Sequence, residues 1–395
     1  MSSGRSRGPG FGLGLLVGAA IAVALLALVG PLQELLPERG TLSRAAEAQQ
    51  VIEDSYFRPT DSEELENASI DGMVKRISKA NDDRFSHYFD PAEYERFQVA
   101  SSGRFSGIGV TVTEAKRGLR VAQVFKGAPA EDADIEPGDL IVGVDGKSLA
   151  GVSADAAAAQ IKGPPGTTVD LTVADAKSGE RRQVEVERAN VRVPVVTGRI
   201  ERSGGQKIAY VRLAGFTRGA HGELRKEIEK LGRRGAEGLV FDLRGNGGGL
   251  VDEAVLVQSI FQEEGPVLTI DGRARDERTF EVTGDPLEGI GPIAVLVDEN
   301  TASASEIVTA ALQENDLATV VGTRTYGKGV FQEVIPLDAG GALDLTVGEY
   351  LTADGTSILG KGVVPDRRVK DEDPSDGDAV LDAGLDAVTS RLQGK

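Results

Sequence analysis

Residues 238–261 read GLVFDLRGNGGGLVDEAVLVQSIF, an apolar run of strand length, a glycine-dense turn and then a helical pattern. That order is one strand–helix unit of an α/β sheet. The alternation continues on both sides. Upstream lie a strand at 206–216 (QKIAYVRLAGF) and a helix at 221–235 (HGELRKEIEKLGRRG) with Leu224, Ile228 and Leu231 on one face. Downstream lie a strand at 293–299 (IAVLVDE), a helix at 305–315 (SEIVTAALQEN), and strands at 318–322 (ATVVG), 330–337 (VFQEVIPL) and 342–352 (ALDLTVGEYLT). The expectation is a mixed α/β core over 191–370 with a largely parallel sheet and flanking helices. An acidic linker and closing helix follow at 371–395, with Val380, Leu381, Leu385 and Val388 turned to the core.

Before residue 191 the texture differs. Five short strands and one helix (SADAAAAQIK, 153–162) fall between 103 and 190, separated by glycine-rich turns, which predicts a compact, partly open β-barrel. Residues 41–102 carry helical patterns and read as a small N-terminal helical region, whose helices could pack on the body or on another copy of the chain as a homo-oligomer. Residues 31–40 read as a linker. Residues 11–29, FGLGLLVGAAIAVALLALV, are uncharged; at about 1.5 Å per residue they match a bilayer core of about 30 Å. Arg5 and Arg7 precede them, and Glu34 and Glu38 follow. The positive-inside bias keeps residues 1–10 in the cytoplasm and sends the body outside, as a single-pass protein of the cytoplasmic membrane. The segment is either a retained transmembrane anchor or a cleaved signal sequence; its length favours the anchor.

The chain of 395 residues has a net charge of -18, which argues against nucleic-acid binding, since that needs Lys and Arg to displace counterions. There is no cysteine, so thiol nucleophiles and disulfides are excluded. Only two histidines occur, His87 and His221, which excludes a His-rich metal site. No metal and no cofactor are expected.

Four segments could carry chemistry. In 293–315, Ser303 sits at a helix start, where unpaired N–H groups and the dipole suit a developing oxyanion; with Glu306 three residues on it also reads as a capping box. In 322–332 (GTRTYGKGVFQ), Lys328 lies between two glycines beside an apolar strand whose burial would lower its pKa towards that of a general base; the alternative is a surface lysine in a turn. The same segment nearly matches a phosphate-binding loop, but Gly329 replaces the Mg-binding hydroxyl and a strand follows where a helix is required. In 240–250 the glycine turn can bring backbone N–H groups to a carbonyl, and Asp242 and Arg244 could pair to fix it. At 106–110 (SGIGV), Gly107, Ile108, Gly109 and Val110 form a loop leading into an edge strand, a place for a peptide carboxylate and an added strand.

Taken together, SGIGV with PGDLIVGVDG, DLRGNGGGL, TASASEI, YGKGVFQ and KGVVPD (361–366) resemble, in order, the motifs of the carboxyl-terminal processing (tail-specific) proteases, over about residues 40–395. The resemblance implies a serine endopeptidase that cleaves proteins near their C-termini, with a PDZ domain at 103–190 binding apolar substrate tails. It places the nucleophile at Ser303 rather than Ser305, because the family's base lysine lies 25 residues on, at Lys328. Gln332 matches the position that orients the lysine. Ala304 and either Gly248 or Gly249 match the oxyanion-hole positions. His87, in DDRFSHYFDP, lies in a recurring family segment and is given no catalytic role. Two rivals stand beside this reading: a catalytically inactive, membrane-anchored PDZ scaffold, and a Ser–His hydrolase using His221, near which no activating Asp pattern is evident.

Overall fold

The computed structural model describes residues 43–370 and 377–394; the apolar segment 11–29 and the acidic stretch 371–376 lie outside the described residues. Among the described residues no helix is long and apolar enough to cross a membrane. The chain divides into two compact units at Ile77/Ser78.

In the first unit, α1 (Arg44–Ser55) is capped by Ser43, whose hydroxyl accepts from Ala46 N–H at 3.2 Å. It is tied to the start of α2 (Ser62–Ala80) by the Ser62 hydroxyl, which donates to Glu53 at 2.7 Å and accepts from Gln49 at 3.1 Å. The helical reading of 41–102 holds here but not throughout. In the second unit, β1 (His87–Phe89) is a short strand, followed by α3 (Pro91–Ser101), whose capping box joins Asp90 and Glu93.

The expected barrel is present. Its six-stranded sheet runs in the order β3 (Val110–Ala115), β4 (Gly118–Val124), β5 (Leu140–Val144), β7 (Thr168–Ala174), β8 (Arg181–Glu187), with β6 (Lys147–Ser148) beside β5. Two helices, α4 (Pro129–Asp132) and α5 (Ala154–Ile161), complete it around a core that includes Ile108, Leu119, Ile141, Leu171 and Val186. The chain enters and leaves this domain through an antiparallel ribbon, β2 (Arg104–Gly107) with β9 (Ala189–Arg192).

The body holds two sheets. The first has the order β10 (Val196–Ser203), β11 (Gln206–Leu213), β12 (Gly238–Asp242), β15 (Ile293–Val297), β16 (Ala318–Gly322), β19 (Arg367–Arg368), and every pairing except β10–β11 is parallel. All five residues of β12 and of β15 are buried, as strands covered on both faces must be. Helices α6 (Ala220–Arg233), α7 (Val251–Gln258) and α8 (Ala304–Glu314) cover the face of Leu239, Phe241 and Val295. The closing helix α9 (Ala379–Leu392) covers Val240, Ala294 and Leu296 with Val380, Leu381, Leu385 and Val388, as expected.

The second sheet was not evident in the sequence. It is antiparallel: β18 (Ala342–Thr352) pairs with β17 (Val330–Pro336), with β1, and with β13 (Pro266–Gly272), which in turn pairs with β14 (Arg275–Glu281). Serine and lysine segments therefore hang from different sheets.

The turn after β12 is locked from below. Arg244 donates from Nε and Nη2 to Asp242 (3.0 and 2.7 Å) and from Nη1 and Nη2 to Asp378 (2.7 and 2.8 Å). Asp378 also caps α9 through Leu381 N–H. Tyr210 donates its hydroxyl to Asp242 at 2.7 Å. Replacing Arg244 by Met strands a nearly buried Asp242 charge, so the unfolding free energy should fall by about 3 kcal/mol in urea titration. The double variant Asp242→Asn/Arg244→Met should recover part of that loss.

Candidate active site

Ser303 follows β15 and a short loop and stands at the N-terminus of α8 with φ 57° and ψ −121°. A non-glycine residue there is strained and needs neighbours to hold it. Glu306 is the principal one. Its side chain is fully buried and accepts four hydrogen bonds: from Ser303 N–H (2.9 Å), Lys328 N–H (2.9 Å), Gly327 N–H (2.7 Å) and the Thr325 hydroxyl (2.5 Å). The carboxylate arm of the expected capping box thus exists, and the same carboxylate also grips the lysine loop.

Ser305 is a poor rival to Ser303. It is fully buried, and its hydroxyl donates to the Asn246 carbonyl at 2.9 Å, whereas Ser303 is partly exposed. The Asn246 carbonyl also receives Ala302 N–H at 3.1 Å. Thr301 donates its hydroxyl to Leu243 O at 2.9 Å, so the serine loop is stitched to the glycine turn at several points.

Of the two glycines left open by the sequence, Gly248 is the one beside Ser303. A Cβ on it would lie 2.9 Å from Ala304 N, 2.9 Å from Ser303 Cβ and 2.8 Å from Ala302 O, so only glycine fits. Gly249 instead packs on Phe216, in a bridge in which Phe216 N–H donates to Gly248 O (3.0 Å) and Leu250 N–H to Phe216 O (2.9 Å). Gly248 N–H donates to Asn246 Oδ1 at 2.9 Å, while Ala304 N–H, at the first helical position, has no partner among the described residues.

Lys328 is half-buried just before β17, which begins where a phosphate-binding loop would need a helix. Its Nζ stands 5.0 Å from the centroid of the Phe85 ring. Burial lowers its pKa below the usual lysine value, against the opposing pull of Asp344 and Glu306. The Lys328 carbonyl accepts from the buried Tyr350 hydroxyl, which burial keeps protonated.

Gln332 departs from the expectation. Its amide donates to the Thr346 hydroxyl at 3.3 Å, and no hydrogen bond joins it to Lys328. Thr346 is held in turn by Asp83 (3.1 Å) and Ser86 (2.8 Å) from the segment before β1. The alternation along β17 explains this: Gln332 sits across from Thr346 in the ladder.

His221 does have a carboxylate partner. Its Nδ1 lies 2.8 Å from Glu253, a buried residue 32 positions away that the local sequence could not reveal. Glu253 also accepts from the N–H groups of Gly219 (2.6 Å) and His221 (3.2 Å), which makes it a helix cap for α6; no hydrogen bond links His221 to Ser303.

In the barrel, among the described residues, β3 pairs only with β4 and leaves its other edge open, with α5 packed nearby. Gly107 is in β2, Val110 opens β3, and Ile108 and Gly109 form the turn between them. The Ile108 and Gly109 carbonyls accept from Ala130 (2.8 Å) and Phe125 (2.9 Å), while their N–H groups meet no acceptor among the described residues. Such a pair of free donors at an open strand edge suits a carboxylate.

The buried carboxylate yields the first prediction for the site. Glu306→Gln places an amide NH2 against backbone donors, so stability should fall by about 2–4 kcal/mol and hydrolytic activity by at least about a hundredfold, read by urea unfolding and steady-state kinetics.

Residues 207–369 match the model of peptidase family S41, and residues 97–174 match the PDZ domain. A "Probable CtpA-like serine protease" of Staphylococcus aureus (strain COL) is 33% identical over 331 residues, 83% of this chain and 65% of that protein. The relative of the same name from Staphylococcus saprophyticus is 31% identical over 336 residues, 85% of this chain and 66% of that protein. The chain thus spans just under two thirds of the length of these curated relatives. A solved photosystem II D1 C-terminal processing protease is 25% identical, with a TM-score of 0.49 over 89% of this chain and 99% of that one. The similarity to peptidase family S41 thus falls on residues 207–369, behind a PDZ-like stretch at residues 97–174.

Proposed function

We propose that this protein is a serine endopeptidase of the carboxyl-terminal processing type, acting through Ser303 and Lys328. The observation that carries the reading is the Glu306 carboxylate, which accepts from the backbone N–H groups of both residues at 2.9 Å and so joins their two loops. Neutral Lys328 takes the Ser303 proton as Oγ attacks the scissile carbonyl. The resulting ammonium gives that proton to the departing amine, and water then hydrolyses the acyl-enzyme. Ala304 N–H and the glycine turn at Gly248 offer the oxyanion its donors, the latter after exchanging the Asn246 bond for substrate. Gln332 is assigned a supporting place through Thr346 rather than a direct bond to the lysine.

The PDZ domain receives an apolar C-terminal tail along β3, with its carboxylate on the Ile108–Gly109 turn. Substrates are therefore proteins or peptides with apolar C-termini. The apolar segment 11–29 tethers the chain to the cytoplasmic membrane with the catalytic body outside. Exposed apolar side chains on the N-terminal helices, such as Ile52 and Met73, support pairing with a second copy.

Hydrolysis of a protein with an apolar C-terminal tail tests the dyad. Ser303→Ala and Lys328→Ala should each lose more than about a thousandfold in kcat/KM while keeping the wild-type unfolding curve; equal cleavage by either variant would refute the assignment, and the scaffold reading requires no cleavage by the wild type. Because Lys328 must be neutral to act and its pKa is depressed, kcat/KM should rise with pH through a limb lying below the ordinary lysine value of about 10.4.

A separate outcome is expected for the tail site. Gly109 has φ 82° and a Cβ there would lie 2.2 Å from Ala128 Cβ, so Gly109→Ala distorts the turn. Binding of a labelled apolar-tail peptide to the Ser303→Ala protein, followed by fluorescence anisotropy, should weaken at least about tenfold.

A further inference from the structure

Asp344 is a buried charge for which the proposed reaction has found no use. It lies on β18, across the ladder from His87 on β1 and from Val334 on β17. Its side chain is only 14% exposed. Oδ2 stands 3.7 Å from His87 Nδ1, which itself lies 2.9 Å from the Phe85 carbonyl. Oδ1 is fully buried and has no hydrogen-bond partner among the described residues. A buried carboxylate oxygen left unbonded is costly and calls for a reason.

Its surroundings supply one. Lys328 Nζ stands 5.0 Å from the Phe85 ring, and the carbonyl of that residue meets the same His87 Nδ1 that faces Asp344, so lysine and carboxylate flank one segment, Phe85–His87. The charged groups that act on Asp344 are His87, Lys328 and Asp83; those that act on Lys328 are Asp344 and Glu306. Glu306 is already committed to four donors, three of them backbone N–H groups. Asp83 is likewise bonded to Phe85 and Ser86 N–H groups and to Thr346. Asp344 alone among these carboxylates keeps an oxygen free. Burial raises its own pKa, with His87 and Lys328 pulling it back down and Asp83 adding to the rise.

We propose that Asp344 is a positioning residue for Lys328, drawing its Nζ towards β18 and stabilising the ammonium that forms as the lysine takes the serine proton. This rests on the Ser303–Lys328 reading. In the acylation step the Ser303 O–H bond breaks, an N–H bond forms on Lys328 and the Oγ–carbonyl bond forms, so a positive charge develops in a half-buried site. A carboxylate fixed beforehand within electrostatic reach of that charge, though not bonded to it, lowers the barrier without reorganising. The same carboxylate also favours the ammonium at rest, so it delays the pH at which Lys328 becomes a base. Both effects belong to one charge, and removing it separates them.

The test is the pH dependence of kcat/KM for the full chain with an apolar-tail substrate. Asp344→Asn, which keeps the shape and removes the charge, should move the acid limb down by about one pH unit and lower the plateau about tenfold or more, with KM little changed. Asp344→Ser should move the limb in the same direction. Competitive acetylation of Lys328 in the Ser303→Ala protein, with and without Asp344→Asn, reads the same shift without turnover. A limb and a labelling curve that stay in place while the plateau falls would overturn the inference and leave Asp344 a structural role. Loss of the folded state in both Asp344 variants would overturn it too, since a carboxylate with an unbonded oxygen should not be holding the fold. Retained hydrolysis in Lys328→Met would instead sink the dyad, and the inference with it; that result is distinct from an inactive Lys328→Met beside an unmoved Asp344→Asn limb.

Discussion

The site depends on one buried carboxylate. Glu306 is in the first turn of α8, where the helix dipole favours an anion, and it reaches back to Ser303 N–H and across to the 325–328 loop. Hydrogen bonds to a charged acceptor contribute about 1.5–3 kcal/mol each when they replace solvation lost on burial. The strained backbone at Ser303 costs about 1–3 kcal/mol, and the Glu306 bond to its N–H offsets it. Because the serine stands between β15 and α8 while the lysine loop leads into β17, that carboxylate, with the Tyr326 N–H that donates to Thr301 O at 3.0 Å, ties the loops of two different sheets together.

The glycine turn braces the serine from the other side. Asn246 is fully buried and spends its side chain on Leu213 O and Gly248 N–H, and its carbonyl on Ala302 and Ser305. Arg244 ties the base of the same turn to Asp378 and hence to α9. A residue near the end of the described chain thereby fixes a loop more than a hundred positions earlier. Catalytic precision of this kind comes from supporting bonds around the reacting groups as much as from those groups.

What the sequence made legible follows from burial. Strands β12 and β15 are covered on both faces, so they are unbroken apolar runs, and α6 shows its Leu224–Ile228–Leu231 stripe plainly. The sequence pattern also hides β10 and β14, which read VTGRIERS and RDERTFE, polar edge strands that each close a tight hairpin on the neighbouring strand, β11 or β13. It hides β13 as well, a short apolar run (PVLTIDG) whose second partner, β18, lies about eighty positions on. The helix start and the glycine-flanked loop mark Ser303 and Lys328 only as candidates, since locally they read equally as a helix cap and a surface turn; it is the ordered set of family-like motifs that singles them out. Gln332 was placed against the lysine by analogy, but the β17–β18 register gives it Thr346 instead. The partners of Glu306, the Glu253 carboxylate beside His221 and the free oxygen of Asp344 all arise from tertiary pairing, and no window of adjacent residues contains them.

A lysine asked to serve as a base faces opposing demands. In an entirely apolar pocket it would be neutral at rest, and the ammonium it becomes on taking a proton would be poorly stabilised. Beside exposed carboxylates it would be charged at rest and have no lone pair to offer. Lys328 has neither setting: it is half-buried against Phe85, its main chain is held by one carboxylate, and a second carboxylate lies beyond hydrogen-bond contact. Burial prevails at rest, which lowers the pKa, while the two negative charges remain in place for the state that follows proton transfer. The sheet register sets that balance, because it brings His87 and Asp344 opposite each other on β1 and β18 and leaves the acid's other oxygen unclaimed.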